Sequence, residues 1–333
     1  MIHFFRRIRK GLVNRERVGK YLLYAAGEIL LVVIGILIAL QINSWNETEQ
    51  NKKKALRLLE KIQDDIEADV NTINQQISYY ATKDSLGNLV LNDLITTEDY
   101  EDPNNGLLHN LVFDLTPMNM KTVGYDNLKM VQSIIPPEYD SIVEQLIYQY
   151  DDVLKILDRT HDFLLEDVRA NHDYLFKNYE WFSDPGPDHL NKDRIQYFIH
   201  DLRYKGMVSN YIDASTDEYV RWATIYLETA MDNYASIDEI LGKNEQALIY
   251  DPNALEEQFL GNYGLLSGDT IKVYRDKGRL YIQGNRLNAL FPYGKNKFFT
   301  RRNYLRFESK GDSLYNYIMR YQSGREPAGV KID

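Results

Sequence analysis

The sequence predicts an α+β protein with an N-terminal transmembrane helix, an extracytoplasmic bundle of long helices and a small C-terminal antiparallel β domain. A largely apolar stretch near the N-terminus, apolar residues at helical spacing after it, and short alternating runs with Gly turns at the end predict this fold. We expect a basic cytoplasmic segment at 1–20, a membrane helix at 21–42, a helical bundle with a stalk at 43–250 and a β domain at 251–333.

Charge is distributed unevenly along the 333 residues. Residues 1–20 carry a net charge of +6, residues 21–251 carry −22 and residues 252–333 carry +6. The acidic middle argues against nucleic acid as a partner, because binding phosphates requires a basic face. The chain contains no cysteine, which excludes disulfides, thiol nucleophiles and Cys-ligated metals and fits an oxidising compartment.

The stretch from Tyr21 to Ile42 is long enough to cross a bilayer, since it extends roughly 33 Å at about 1.5 Å per residue. A cleaved signal peptide is the alternative, but the stretch is longer than the apolar region of such peptides and no Ala-x-Ala site follows it. Seven basic residues and one acid precede the stretch. We therefore expect a cytoplasmic N-terminus with the bulk of the chain across the membrane.

Glu28 places a carboxylate inside the apolar stretch, where it is costly. At about 100° per residue, Glu28, Gly35 and Ala39 fall within about 40° of one another on the helix. A polar side chain on a stripe of small residues is typical of a contact face between membrane helices. We predict that these three residues mediate association with a second copy or with another membrane protein. Snorkelling toward the headgroups, or a role in moving a proton or an ion, are the other interpretations.

The opening of the chain is similar to that of a known family. The motif KYLLYAAGEILLVVIGILIALQINSWNE, preceded by FFRRIRKGL, resembles the start of an uncharacterised family of single-pass membrane proteins from Gram-negative bacteria. The resemblance is specific over residues 1–50 and continues through the general layout of the helices that follow. It implies an inner-membrane location with the bulk in the periplasm, and it implies no activity, catalytic residue or cofactor.

The apolar pattern after the membrane helix predicts that this helix continues as a stalk. The stalk residues at helical spacing are Leu59, Ile62, Ile66, Val70, Ile73 and Ile77. Turn residues at 102–106 and 115–117 predict loops, and Pro137 predicts the start of a long helix that ends before 184–187. Two further helical stretches are expected between 191 and 243.

Apolar residues of the long helix repeat every eleven positions, as in Ile142, Val153, Leu164 and Leu175. This period favours straight or slightly right-handed packing over a left-handed coiled coil. Four polar-tipped residues share the period, namely Tyr139, Tyr150, His161 and His172. The two histidines lie about 16 Å apart along the axis, too far to bind one metal ion, so we interpret them as packing residues.

Aromatic residues crowd the end of the long helix. They are Tyr174, Phe176, Tyr179, Trp181 and Phe182. Tyr174, Tyr179, Trp181 and Phe182 are our candidates for a ligand surface on which a sugar or a peptide would stack. A packed cap of the bundle is the plainer interpretation of the same residues.

Five alternating runs after Asp251 predict antiparallel strands. They are 270–274, 279–283, 286–293, 304–308 and 314–321. Turns at 277–278, 310–311 and 323–324 predict a meander or a small open barrel. The segment around GDTIKVYRDKGRLYIQ resembles the small β domain behind the catalytic domain of some serine-β-lactamase-like hydrolases. The chain contains no Ser-x-x-Lys motif, so the resemblance implies a fold and no activity.

No enzyme signature occurs in the chain, whether a zinc-protease, serine-hydrolase, phosphate-binding or dinucleotide-binding motif. We expect no enzyme activity, no cofactor and no metal. The leading interpretation is a membrane-anchored periplasmic interaction or accessory protein in a homo-oligomer or a larger membrane complex, with the lipid bilayer as its first partner. A ligand-binding sensor that signals through a partner, and a periplasmic hydrolase without a recognisable motif, are the alternatives.

Overall fold

A computed structural model shows an α+β protein, as the sequence predicts. It describes residues 15–183, 186–243, 257–265, 268–276, 279–283, 287–294, 296–300, 304–308, 317–321 and 328–332. The chain divides into two compact units, one formed by residues up to Arg57 together with Ser133–Pro137 and one by Leu58–Gln132 together with Glu138 onward. The domain boundaries expected from the sequence stay predictions.

The helices occupy the chain up to Leu241. They are α1 (Arg15–Leu91), α2 (Thr97–Glu101), α3 (Gly106–His109), α4 (Val123–Met130), α5 (Asp140–Ile147), α6 (Leu154–Asn178), α7 (Lys192–His200), α8 (Leu202–Ile212) and α9 (Arg221–Leu241). Two π-helical segments, Tyr148–Val153 and Asp213–Val220, join α5 to α6 and α8 to α9. Short 3₁₀ turns lie at Gln132–Ile134, Pro137–Tyr139, Glu180–Ser183, Asp188–Leu190 and Glu257–Phe259.

Helix α1 is a single helix of 77 residues. Its large apolar side chains in the expected membrane stretch are exposed, including Leu23 at 78% and Leu31 at 74%. Among the residues that the structure describes, α1 is the one helix long and apolar enough to cross a membrane. All six stalk residues predicted from the sequence are buried, each at most 1% exposed.

The long helix predicted after Pro137 runs through α5, the first π-helical segment and α6. Ile142, Val153, Leu164 and Leu175 are all buried, as the eleven-residue period predicts. Phe176, which follows Leu175 at the end of the helix, is 60% exposed. Helix α9 ends at Gly242, whose φ of 66° is a left-handed conformation that glycine adopts without strain.

The C-terminal region is a closed antiparallel barrel in which each strand pairs with its neighbours in the chain. The strands are β1 (Gly261–Leu265), β2 (Thr270–Asp276), β3 (Arg279–Gln283), β4 (Leu287–Gly294), β5 (Lys297–Phe299), β6 (Tyr304–Glu308), β7 (Tyr317–Tyr321) and β8 (Ala328–Lys331). The pairing of Tyr263 in β1 with Lys331 in β8 closes the barrel. Alternate residues such as Ile271 and Val273 are buried, and the exposed Lys272 lies between them.

The barrel corrects the sequence prediction in strand number. Strands β1, β5 and β8 add to the five predicted strands, and closure removes the open edges that a meander would leave. Strand β5 is only three residues long, and β1 and β8 both contain glycine, so their side chains carry little alternation. The predicted turns at 277–278, 310–311 and 323–324 lie outside the described residues.

Candidate functional site

Glu28, Gly35 and Ala39 lie on α1 within the expected membrane stretch. All three residues are exposed. A Cβ atom built on Gly35 would meet no atom within 4 Å, so the stripe offers open space to a neighbouring helix. The stripe is therefore available for the contact that the sequence predicts.

The aromatic residues at the end of α6 lie close together and pack into the bundle. The ring of Tyr179 lies 5.1 Å from that of Trp181 and 4.7 Å from that of Tyr197 on α7. Trp181 also contacts Phe198, with ring centroids 6.2 Å apart. Tyr174, Tyr179, Trp181 and Phe182 are all half-buried. Rings of α7 pack against Tyr179 and Trp181, an arrangement that suits a bundle cap.

The polar residues with an eleven-residue period have separate environments. Tyr139 and Tyr150 are buried, and the ring of Tyr150 stacks on that of Tyr125 with centroids 4.6 Å apart. His161 Nε2 lies 3.2 Å from the carbonyl oxygen of Thr116. His172 is exposed. These contacts agree with packing roles and bring the two histidines to no common site.

A polar arrangement in the bundle, which sequence reasoning missed, surrounds residues 109–124. We call this segment the strap. It runs from the end of α3 to the start of α4, and residues 114–122 form no helix or strand. Because buried backbone groups need hydrogen-bond partners, the strap depends on side chains from the helices around it.

Helix α1 supplies four of these partners from one stripe. Asp65, Asp69, Gln76 and Lys83 lie within about 40° of one another at about 100° per residue. Asp65 Oδ2 accepts from the N–H of Gly124 at 2.9 Å, and Asp69 Oδ1 accepts from the N–H of Lys121 at 2.9 Å. Gln76 Nε2 donates to the carbonyl of Pro117 at 2.7 Å. The strap therefore runs antiparallel to α1.

Lys83 forms the C-terminal end of this stripe and its side chain is fully buried. Its ammonium donates to the carbonyls of Asp114 at 2.8 Å and Asn110 at 3.0 Å, and it pairs with the Asp114 carboxylate. The hydroxyl of Tyr211 lies 3.2 Å from Nζ. Burial lowers the pKa of Lys83 to about 8, and the Asp114 carboxylate opposes this shift.

Side chains of three other helices bind the strap from the opposite sides. Tyr211 of α8 donates to the carbonyl of Asp114 at 3.0 Å, and Asn171 of α6 lies 3.4 Å from the carbonyl of Val112. His161 of α6 and the α7 guanidinium of Arg194 contact the carbonyls of Thr116 and His109. The strap therefore ties together α1, α6, α7 and α8.

Asp69 is the most deeply buried carboxylate that contacts the strap, at 1% exposure. Tyr226 of α9 donates to its Oδ2 at 2.7 Å. Burial raises the pKa of Asp69 to about 6, against the hydrogen bonds from Tyr226 and from the Lys121 N–H, which lower it. Gly124 lies close to the same part of α1, because an added Cβ would come within 2.9 Å of both Asp65 Oδ2 and Ile62 Cγ1.

His109 and Arg194 form a second buried pair at the start of the strap. His109 Nε2 lies 2.8 Å from the carbonyl of Tyr100, and burial lowers the pKa of His109. Arg194 pairs with Asp188 at 2.7 Å and lies 5.2 Å from the ring centroid of Phe198. Both side chains are engaged in structural contacts.

The polar side chains of the α1 stripe fix the backbone of the strap. Each polar side chain of the α1 stripe contacts a backbone atom of the strap, and those of Asp69, Gln76 and Lys83 are at most 3% exposed. Among the described residues, no group of three or more His, Asp and Glu side chains is placed to hold a metal ion. The sequence signal that could have revealed this arrangement is the seven-residue spacing of Asp69, Gln76 and Lys83 beside the apolar stripe.

Comparison with known proteins gives one match. Residues 28–111 match the model of a family described as a family of unknown function (DUF6090). The matched range begins at Glu28 and includes the four strap-binding residues of α1. No curated protein and no solved structure matches the chain. The likeness of the barrel to the small β domain of some hydrolases therefore stays an expectation.

Proposed function

We propose that the protein is a membrane-anchored interaction or accessory protein of the inner membrane, with its bundle and barrel in the periplasm. The observation that carries this proposal is the exposure of the apolar side chains of α1 between Tyr21 and Ile42. No other part of the described chain covers them. A bilayer would remove this surface from water. The resemblance of the N-terminal motif to single-pass inner-membrane proteins supports the same location.

The second half of α1 supports the accessory role. It continues the same helix beyond the apolar stretch, and from Leu58 its side chains form part of the bundle core and bind the strap. A protein built in this way tethers a folded bundle to a membrane. Association through the stripe of Glu28, Gly35 and Ala39 would then place it in an oligomer or beside another membrane protein.

We expect a C-terminal alkaline phosphatase fusion to be active and a C-terminal cytoplasmic fluorescent reporter to be dark. The physical reason is the excess of basic residues before the membrane stretch, which holds the N-terminus in the cytoplasm. Replacing Arg6, Arg7, Arg9 and Lys10 with serine should weaken this preference. A bright cytoplasmic reporter on the unaltered chain, with an inactive phosphatase fusion, would contradict the orientation.

We expect Glu28→Leu to weaken association in native membranes and Glu28→Gln to preserve it. A hydrogen bond between membrane helices is worth about 0.6 to 2 kcal/mol, and glutamine retains the ability to form one. Gly35→Leu should also weaken the contact by holding the two backbones apart. Chemical crosslinking of the three variants measures this. If both leucine variants crosslink as much as the unaltered chain, snorkelling is left as the role of Glu28. If Glu28→Gln alone loses activity in cells while it still crosslinks, Glu28 lies on a proton path.

A further inference from the structure

The segment of α1 just beyond the membrane stretch is a helix without support from the described chain. Between Asn43 and Gln50 every side chain except the half-buried Glu49 is exposed, and Trp45 is 67% exposed. A helix on the surface of a bundle normally buries one face, and most helical stability in proteins comes from such packing. This segment therefore lacks the usual source of its stability.

The segment is also rich in residues that do not favour a helix. Asn43, Ser44, Asn46 and Thr48 are weak helix formers, because their side chains compete for backbone hydrogen bonds. Thr48 Oγ1 does so here, donating to the carbonyl of Ser44 at 3.0 Å. Such a sequence stays helical most readily when a partner covers one side.

The phase of the helix identifies the side that a partner would cover. At about 100° per residue, Asn46 lies at the same angle as Glu28, and Lys53 lies about 20° away. The stripe of Glu28, Gly35 and Ala39 therefore continues beyond the membrane stretch into a polar, exposed face of the same helix. Ser44 and Thr48 lie on the opposite face.

We propose that this face packs against α1 of a second copy of the chain, so that two α1 helices stay in contact from Glu28 to Lys53. This proposal rests on the proposed membrane anchoring, which forces the two copies into the same orientation. In a parallel pair, an asparagine at a contact position meets its own copy and can hydrogen-bond to it, and this fixes the register. Asn46 is placed for that role.

The charges of the segment are complementary in the same arrangement. Glu49 lies about 60° from the line of Asn46, at the edge of the face, and Lys53 lies near its centre. In a parallel pair Lys53, like Asn46, lies beside its own copy, and the carboxylates of Glu49 from both copies flank the two ammonium groups. A self-complementary polar face of this kind fits a second copy better than an apolar partner.

The test uses the natural absence of cysteine from the chain. Full-length single-cysteine variants Asn46→Cys and Lys53→Cys are expressed in native membranes, oxidised and measured for covalent dimer. Ser44→Cys and Thr48→Cys are matched controls on the opposite face. We expect roughly tenfold more dimer from the first pair, because a disulfide requires Cα atoms within about 7 Å. Co-expression of two differently tagged copies identifies the partner as the same chain.

The variant Ala39→Cys tests the contact within the membrane separately from the extended contact beyond it. A dimer from Ala39→Cys without one from Asn46→Cys and Lys53→Cys would overturn the extended contact and leave the membrane contact intact. Absence of dimer from all three variants would overturn both the contact and the association proposed for the membrane stripe. Equal yields from the two faces, or a crosslink of Asn46→Cys to a different protein, would also overturn the pairing of two copies.

Discussion

Replacing Lys83 with methionine is expected to lower the free energy of unfolding by about 1 to 3 kcal/mol, the cost of leaving a buried hydrogen-bonding group without its partner. Methionine fills a similar volume but donates no hydrogen bond. The carbonyl of Asn110 would lose its ammonium donor, and the carbonyl of Asp114 would keep only the hydrogen bond from the hydroxyl of Tyr211. Urea unfolding of the full chain in detergent, followed by circular dichroism, measures the change.

Lys177→Met is the matched control for this prediction. Lys177 is on α6, its side chain is 71% exposed, and it lies 3.7 Å from Asp173 in a surface ion pair. Surface pairs contribute little to stability, so this variant should unfold like the unaltered chain. Amide exchange should also quicken in the strap of Lys83→Met alone. If the two variants unfold at the same urea concentration, Lys83 does not hold the strap.

The second expected result is a contribution of about 3 kcal/mol from Asp69 to the free energy of unfolding that is lost as the pH rises from about 4 to about 7. The pKa of Asp69 is raised by burial from its ordinary value of 3.8 to about 6. The folded state therefore binds a proton that the unfolded state has released. This stabilisation is fully present below pH 3.8 and is lost as the pH rises through 6.

Other titratable groups also contribute to the pH dependence of the free energy of unfolding. Asp84, whose pKa burial also raises to about 6, adds a loss of the same sign. His109 acts in the opposite direction, because its lowered pKa makes stability fall as the pH drops below the ordinary value of 6.5. Asp151, whose pKa Lys129 and Lys155 hold below the usual range, loses its stabilising charge only at lower pH.

Asp69→Asn isolates the contribution of Asp69, because the other groups titrate in both proteins and cancel in the difference. Asparagine keeps an oxygen for the N–H of Lys121, and its amide can donate to the hydroxyl of Tyr226. Thermal unfolding of both proteins across this pH range gives the difference. The variant should show the shallower pH dependence and should equal or exceed the unaltered chain at neutral pH. Parallel curves would show that Asp69 titrates like an exposed carboxylate.

Local pattern is enough to predict most of the fold. The apolar stretch of α1, the stalk residues and the eleven-residue period each depend on residues within one helix. The stalk residues and Ile142, Val153, Leu164 and Leu175 are buried, whereas the apolar stretch is exposed. Strands β2, β3 and β6 alternate clearly and, like β4, are predictable nearly to their ends. Strand β5 is too short for alternation to show, so pairing with its neighbours rather than its own sequence defines it.

The polar core is not predictable in the same way. Lys83 bonds to backbone atoms 27 and 31 residues away, and Gln76 bonds to one 41 residues away. A backbone carbonyl carries no sequence signature, so such a pair cannot be recognised from either residue alone. The seven-residue spacing of Asp69, Gln76 and Lys83 indicates a shared helix face but leaves its partner open.

The closing pair of the barrel has a consequence for the order of folding. Tyr263 pairs with Lys331, so the first and last strands meet only after the entire C-terminal region has been synthesised. Contacts between residues so distant in sequence carry a large loop-closure entropy and slow the folding rate. The helices, whose contacts within each helix are local, have no such delay. We therefore expect barrel closure to be the last and slowest step, with strand edges open to other chains until it is complete.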